Sequence, residues 1–133
     1  MTKPGQRFDA FLPGAHPIDA YGAGGFRFAG MSHIGSILAT PSGIGAVAAT
    51  GLADLETSVL QRLFDELQAA PGCVEFVVFG AGAKMALMPR PLAEVLRKKG
   101  LRFETMATGA ACRLYNVMIG ERRRVAALLI AAP

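Results

Sequence analysis

The sequence predicts an α/β layer fold, helices covering a sheet, with an antiparallel β-meander at the N-terminal end. Three observations carry this. Residues 25–49 alternate apolar and polar in short pieces separated by turn signals. At Leu55 the apolar spacing changes from period two to helical. From there to Ile130 the pattern reads helix–strand–helix–strand–helix–strand, an order that belongs to layered α/β folds.

The 133 residues (13.9 kDa) are enough for one domain. We divide them into an irregular N-terminal segment, 1–17, punctuated by Pro4, Pro13 and Pro17, and a single α/β domain, 18–133. In that domain Gly25-Phe26-Arg27-Phe28-Ala29 reads as a strand, Gly30-Met31-Ser32 as a turn and His33 to Ala39 as a second strand. Thr40-Pro41-Ser42-Gly43 is a strong turn signal, and Ile44 to Ala49 is a third strand weakened by glycine. Leu55, Val59, Leu60, Leu63, Phe64 and Leu67 then share one helical face, with Asp54 as the expected N-cap and Pro71-Gly72 as the stop. Val74 to Phe79 is nearly all apolar, as in a strand buried on both faces.

Pro91 suits the first turn of a second helix. Arg97, Lys98 and Lys99 suit its last turn, where the dipole favours cations, and Gly100 ends it. Leu101 to Met106 alternates as a strand. Thr108 is the expected N-cap of a third helix reaching Met118, with Ala111, Leu114, Tyr115 and Met118 inward and Gly120 as its stop. Val125 to Ile130 is wholly apolar and too oily for a sheet edge.

Composition excludes several classes. With 52% hydrophobic residues and a mean hydropathy of +0.37, most of the chain has surface to bury and is not disordered. The longest strongly apolar run, Val125 to Ala132, has eight residues, whereas a membrane-spanning helix needs roughly 20. Cys73 and Cys112 make neither a disulfide framework nor a zinc site, and a reduced core thiol is the reading for Cys73. Met1 to Ala15 has no signal-peptide core and only Lys3 and Arg7 as cations, so a cytoplasmic protein is expected.

The charge is uneven. Residues 1–80 hold four Lys/Arg against seven Asp/Glu, and residues 81–133 hold ten against three. The cations cluster at Arg97–Lys99 and Arg122–Arg124 without interleaved aromatics, so nucleic acid is not the expected partner.

No motif calls for a cofactor. His16 and His33 are isolated, which argues against a metal site. Asp65-Glu66 looks like a solvated stretch of helix surface. The candidate ligand-binding positions are two glycine turns at strand ends, Gly80-Ala81-Gly82 and Thr108-Gly109, with Lys84 and Arg90 able to add charge. Ligands of open α/β sheets bind beyond the carboxyl ends of strands, and a helix N-terminus there favours an anion. The same glycines could serve only tight turns. Cys112, one turn into the third helix, could be an activated thiol or a structural one. Asn116, inside that helix, could close a loop or serve the site. Arg122, Arg123, Arg124 and the loop Ala83 to Pro89 are candidate partner contacts.

The run from Glu104 through Thr108-Gly109, Tyr115-Asn116 and Arg123 to Ile130, together with Gly35-Ser36-Ile37-Leu38 before Pro41 and Val77-Val78-Phe79-Gly80-Ala81-Gly82 before Pro89, resembles a family of small proteins. That family is related to the mitochondrial assembly factor 3 of respiratory complex I. The resemblance covers about residues 18–131. It implies a three-layer α/β fold around a central mixed sheet and leaves open whether the last strand runs antiparallel. It also implies a non-enzymatic binding module whose protein partners belong to the biogenesis of a membrane respiratory complex. The alternative from the residues alone is a small-molecule or anion-binding protein or enzyme working at the glycine turns.

Overall fold

A computed structural model describes residues 11–53 and 55–133; the expected Asp54 cap lies outside the described residues. The strands are β1 (Leu12–Pro13), β2 (Ala20–Gly22), β3 (Gly25–Phe28), β4 (Met31–Ile34), β5 (Ser36–Thr40), β6 (Gly43–Val47), β7 (Phe76–Gly80), β8 (Arg102–Met106) and β9 (Val125–Leu129). The helices are α1 (Gln61–Ala69), α2 (Arg90–Lys98) and α3 (Thr108–Gly120). A 3₁₀ turn, Thr57–Leu60, leads into α1.

Six strands form a mixed sheet in the order β1-β6-β5-β9-β7-β8. The last strand is its hinge of direction: β9 runs antiparallel to β5 and parallel to β7. Strands β7 and β8 are also parallel. The fold class expected from the pattern is therefore present, with helices covering a mixed sheet.

The N-terminal meander is present as the separate three-stranded antiparallel sheet β2-β3-β4. Its membership differs from expectation: β2 was not expected as a strand, and the expected third strand, from Ile44, is β6 of the large sheet. The single strand expected from His33 to Ala39 is broken at Gly35, which takes φ +103°. Its first half stays in the small sheet and its second half joins the large one. The turn expected at Gly30-Met31-Ser32 is the two-residue loop Ala29-Gly30, with φ +50° and +74°. Two positive φ values in succession match the right-handed twist of the flanking strands. Leu12–Pro13, inside the segment expected to be irregular, pairs with β6 at the sheet edge.

Alternation along the central strands produces two cores. Ile37, Ala39, Val78, Ala127 and Leu129 face α3 and the small sheet, against Ala111, Tyr115, Phe26 and Phe28. Leu38, Val77, Phe79, Ala126 and Leu128 face the other way, against Leu60, Leu63, Phe64, Leu92 and Leu96 of the 3₁₀ turn, α1 and α2. Strand β9 is buried at every position, as expected for a segment too oily for an edge.

Candidate functional site

The fold brings Gly80, Gly82, Thr108 and Gly109 to one place, the end where the parallel strands finish. Their polar groups are already bonded to one another. Gly82 N–H donates to Thr108 Oγ1 at 2.8 Å, and that hydroxyl donates to the Ile130 carbonyl at 2.7 Å. Thr108 N–H donates to the Gly82 carbonyl at 2.8 Å, Ala81 N–H to Met106 at 2.8 Å, and Ile130 N–H to Gly80 at 2.9 Å. Thr108 is completely buried. The hydroxyl thus stitches β7, α3 and β9 together.

This corrects the N-cap reading of Thr108. The N-cap is Ala107, no side chain caps the helix, and Thr108 is the first helical residue. A hydroxyl placed between a strand end and the final strand gains a buried acceptor and donor, and so does not fold back on its own helix. Gly80 is required by the closeness of α3: a Cβ there would sit 2.9 Å from Thr108 Oγ1 and 3.1 Å from Ala111 Cβ. Gly109 lies directly beneath the Tyr21 ring, a contact from the small sheet that the sequence pattern did not reveal. An anion at these turns would find the N–H groups of Gly82 and Thr108 already taken. Lys84 is exposed in the loop that follows.

Cys112 and Asn116 lie on the flank of α3, where with Ile18, Tyr21 and Arg113 they line an open depression of about 510 Å³. Cys112 is buried, and burial pushes its thiol up to about 12, against a small opposing effect of Arg113. That is the reverse of an activated nucleophile. Cys73 is half-buried, and burial raises its thiol too. Asn116 accepts from Ile18 N–H at 2.8 Å and donates to the Ile18 carbonyl at 2.9 Å. It clamps the chain entering β2 onto α3, the loop-closing role.

Glu66 corrects the solvated reading of Asp65-Glu66. Its carboxylate accepts from Thr40 Oγ1 at 2.7 Å, Ser42 Oγ at 2.7 Å and Arg62 at 3.1 Å. Arg62 also donates to the Leu38 carbonyl and lies over the Phe11 ring at 4.7 Å. Partial burial draws its guanidinium below its ordinary value, with Glu66 opposing. The i, i+4 spacing of Arg62 and Glu66 was the available signal; the β5–β6 turn they grip was not.

Arg122, Arg123 and Arg124 are at the opposite end of the sheet and all exposed. Arg124 pairs with Glu75 at 2.6 Å and donates to the Gly72 carbonyl at 3.0 Å. Arg123 lies 3.7 Å from Glu121. Arg122 holds φ +58° in the turn between α3 and β9. Among the described residues no group of three His, Cys, Asp or Glu could hold a metal ion. His16 bonds the Pro13 carbonyl at 2.8 Å, and His33 is buried in β4.

Three likenesses bear on this arrangement. An uncharacterised protein of Rhodobacter capsulatus is 39% identical over 120 residues, covering 90% of this chain and 88% of the relative. The crystal structure of an outer membrane protein from Bartonella henselae superposes with a TM-score of 0.83 at 43% identity, covering 91% of this chain and 98% of that one. NADH dehydrogenase [ubiquinone] 1 alpha subcomplex assembly factor 3 of Xenopus tropicalis is 28% identical over 113 residues, 85% of this chain but 60% of the frog protein. The family described as "Protein of unknown function (DUF498/DUF598)" matches residues 18–130. With that match spanning nearly its whole length, the chain belongs to the DUF498/DUF598 family.

Proposed function

We propose that the protein is a binding module that helps a membrane respiratory complex assemble, working from the cytoplasmic side. Kinship to an assembly factor of NADH dehydrogenase supports the class of role. The observation that carries it is the loop Ala83–Pro89. There Leu87 is 80% and Met85 59% exposed, beside Lys84, on a loop that joins β7 to α2. Two large apolar side chains exposed on one loop offer a partner's pocket a contact of the kind that anchors an interface. Arg122–Arg124 supply a second, charged contact at the far end.

The test is capture of the tagged protein from a detergent extract, with mass spectrometry of what is retained. The native chain is expected to recover subunits of a membrane complex or their assembly partners. The pair Met85→Ser and Leu87→Ser should lower recovery at least tenfold with the melting curve unchanged. Recovery of the bare protein alone overturns the reading. The competing reading, an anion-binding protein or enzyme at Gly80, Gly82, Lys84, Thr108 and Gly109, has fewer donors to offer, since two of its N–H groups are spent. Thermal stabilisation by phosphate or a carboxylate metabolite, lost in Lys84→Ala, would favour it instead.

A further inference from the structure

The two basic clusters are about 25 positions apart in sequence, and the fold unites them. Strands β7, β8 and β9 are parallel, and Phe76 pairs with both Arg102 and Val125. Their starting ends are therefore neighbours: Arg102 N–H bonds the Glu75 carbonyl at 3.1 Å, and Glu75 N–H bonds the Arg124 carbonyl at 3.0 Å. Helices α2 and α3 both finish at this same end. It thus gathers Arg97, Lys98 and Lys99 from the end of α2, Arg102 from the start of β8, and Arg122–Arg124 from the turn after α3, all seven exposed.

The acids here offset part of the charge. Glu75 pairs with Arg124, Glu121 lies near Arg123, and Asp65 lines a depression with Lys99. Arg97, Lys98, Arg102 and Arg122 have no ion-pair partner among the described residues. Two helix C-termini account for about one elementary charge between them, which leaves most of this set unexplained by the fold.

We infer that this end docks the protein on a bilayer carrying anionic lipid. The inference rests on the assembly reading for its purpose, since it brings the module to the surface where a membrane complex is built. The physical case is charge complementarity without an anchor. The aromatic rings at this end, Phe103 and Phe64, lie beneath Arg97 and Lys99, at 5.8 and 4.6 Å from ring centroid to cation. They are not free to stack on bases, as a single-stranded nucleic acid requires. The cations sit on helix ends and strand starts, so no helix presents them along a groove. A protein interface standing on this end alone needs an apolar centre, and the exposed Val117 in the last turn of α3 is too little to make one. A lipid surface needs only a cluster of four or more cations within a Debye length. No helix among the described residues is long and apolar enough to cross a membrane, so this contact would be peripheral.

The test is co-sedimentation of the full chain with vesicles of phosphatidylcholine, with and without phosphatidylglycerol. Duplex DNA and polyglutamate at matched charge serve as competing ligands. Binding is expected to phosphatidylglycerol vesicles alone, and to disappear when salt shrinks the Debye length to a few ångströms. Joint replacement Lys98→Glu, Arg102→Glu, Arg122→Glu and Arg123→Glu should lower partitioning about a hundredfold or more. If that variant melts early, the corresponding glutamine set replaces it. Absent or equal binding to the two vesicle types overturns the inference. So does undiminished binding by the variant, or a preference for DNA or polyglutamate. Capture in detergent through Met85 and Leu87 is read separately, so either reading can fail alone.

Discussion

The two ends of the large sheet are built in opposite ways. Where β7, β8 and β9 finish, Gly80, Gly82, Thr108 and Ile130 close on one another through buried hydrogen bonds. Where the same strands begin, Arg102 and Arg122–Arg124 stand in solvent. The finishing end is the usual ligand position of an α/β sheet, yet here the carbonyl of Ile130, just past β9, occupies the Thr108 hydroxyl that a ligand would need. A strand end can therefore carry the glycines of a binding loop and spend them on its own closure.

The largest test of this contrast is chemical. The Cys112 thiol, on the flank of α3 and held near 12, should be labelled by a disulfide reagent about 30-fold more slowly at neutral pH than a thiol at its ordinary value, its smaller thiolate fraction being partly offset by higher nucleophilicity. The sign for stability follows. The unfolded chain loses this proton first, so the Cys112 contribution to stability is flat below about pH 9 and falls as pH climbs from there towards about 12. Fast labelling of the folded protein would mean that the Ile18 segment lifts off α3. Next is Thr108→Val, which leaves the Gly82 N–H and the Ile130 carbonyl buried without partners. It should cost about 3 kcal/mol in urea unfolding, and Thr108→Ser should recover most of that. A loss under 1 kcal/mol would show that water reaches these groups. Asn116→Ala removes two hydrogen bonds to Ile18 and should cost about 1–2 kcal/mol.

The starting end predicts small effects of the opposite sign. Arg122 holds φ +58°, where glycine is unstrained. Arg122→Gly should raise stability by about 0.5–1 kcal/mol while removing a cation from the basic face. A loss of stability would mean that the side chain packs, and that this end is more than a charged surface.

The contrast also shows what the sequence made legible. Helix α2 was readable because Pro91, the basic last turn and Gly100 (φ +75°) each act locally. Strand β9 was readable because burial on both faces requires an unbroken apolar run. The break at Gly35 was not, since the residues on either side alternate alike, and only the parting of two sheets distinguishes them. The role of Thr108 was hidden for the same reason. A Thr opening a helix has a local use as a cap, and the partner that overrides it, Ile130, is 22 residues away. The Arg62–Glu66 grip on Thr40 and Ser42 spans a similar separation. The basic face needed topology, because nothing local says that β8 and β9 begin side by side.

The position of β9 has a consequence for how the protein is made. The strand that joins β5 to β7 is made after every other strand of the sheet. Until it emerges, the nascent chain holds two half-sheets, each with a bare inner edge of unpaired amides able to recruit other chains. Cooperative folding must then wait for Val125–Leu129 to emerge, and a chain truncated before Val125 would be two unjoined pieces, a ready client for chaperones and proteases.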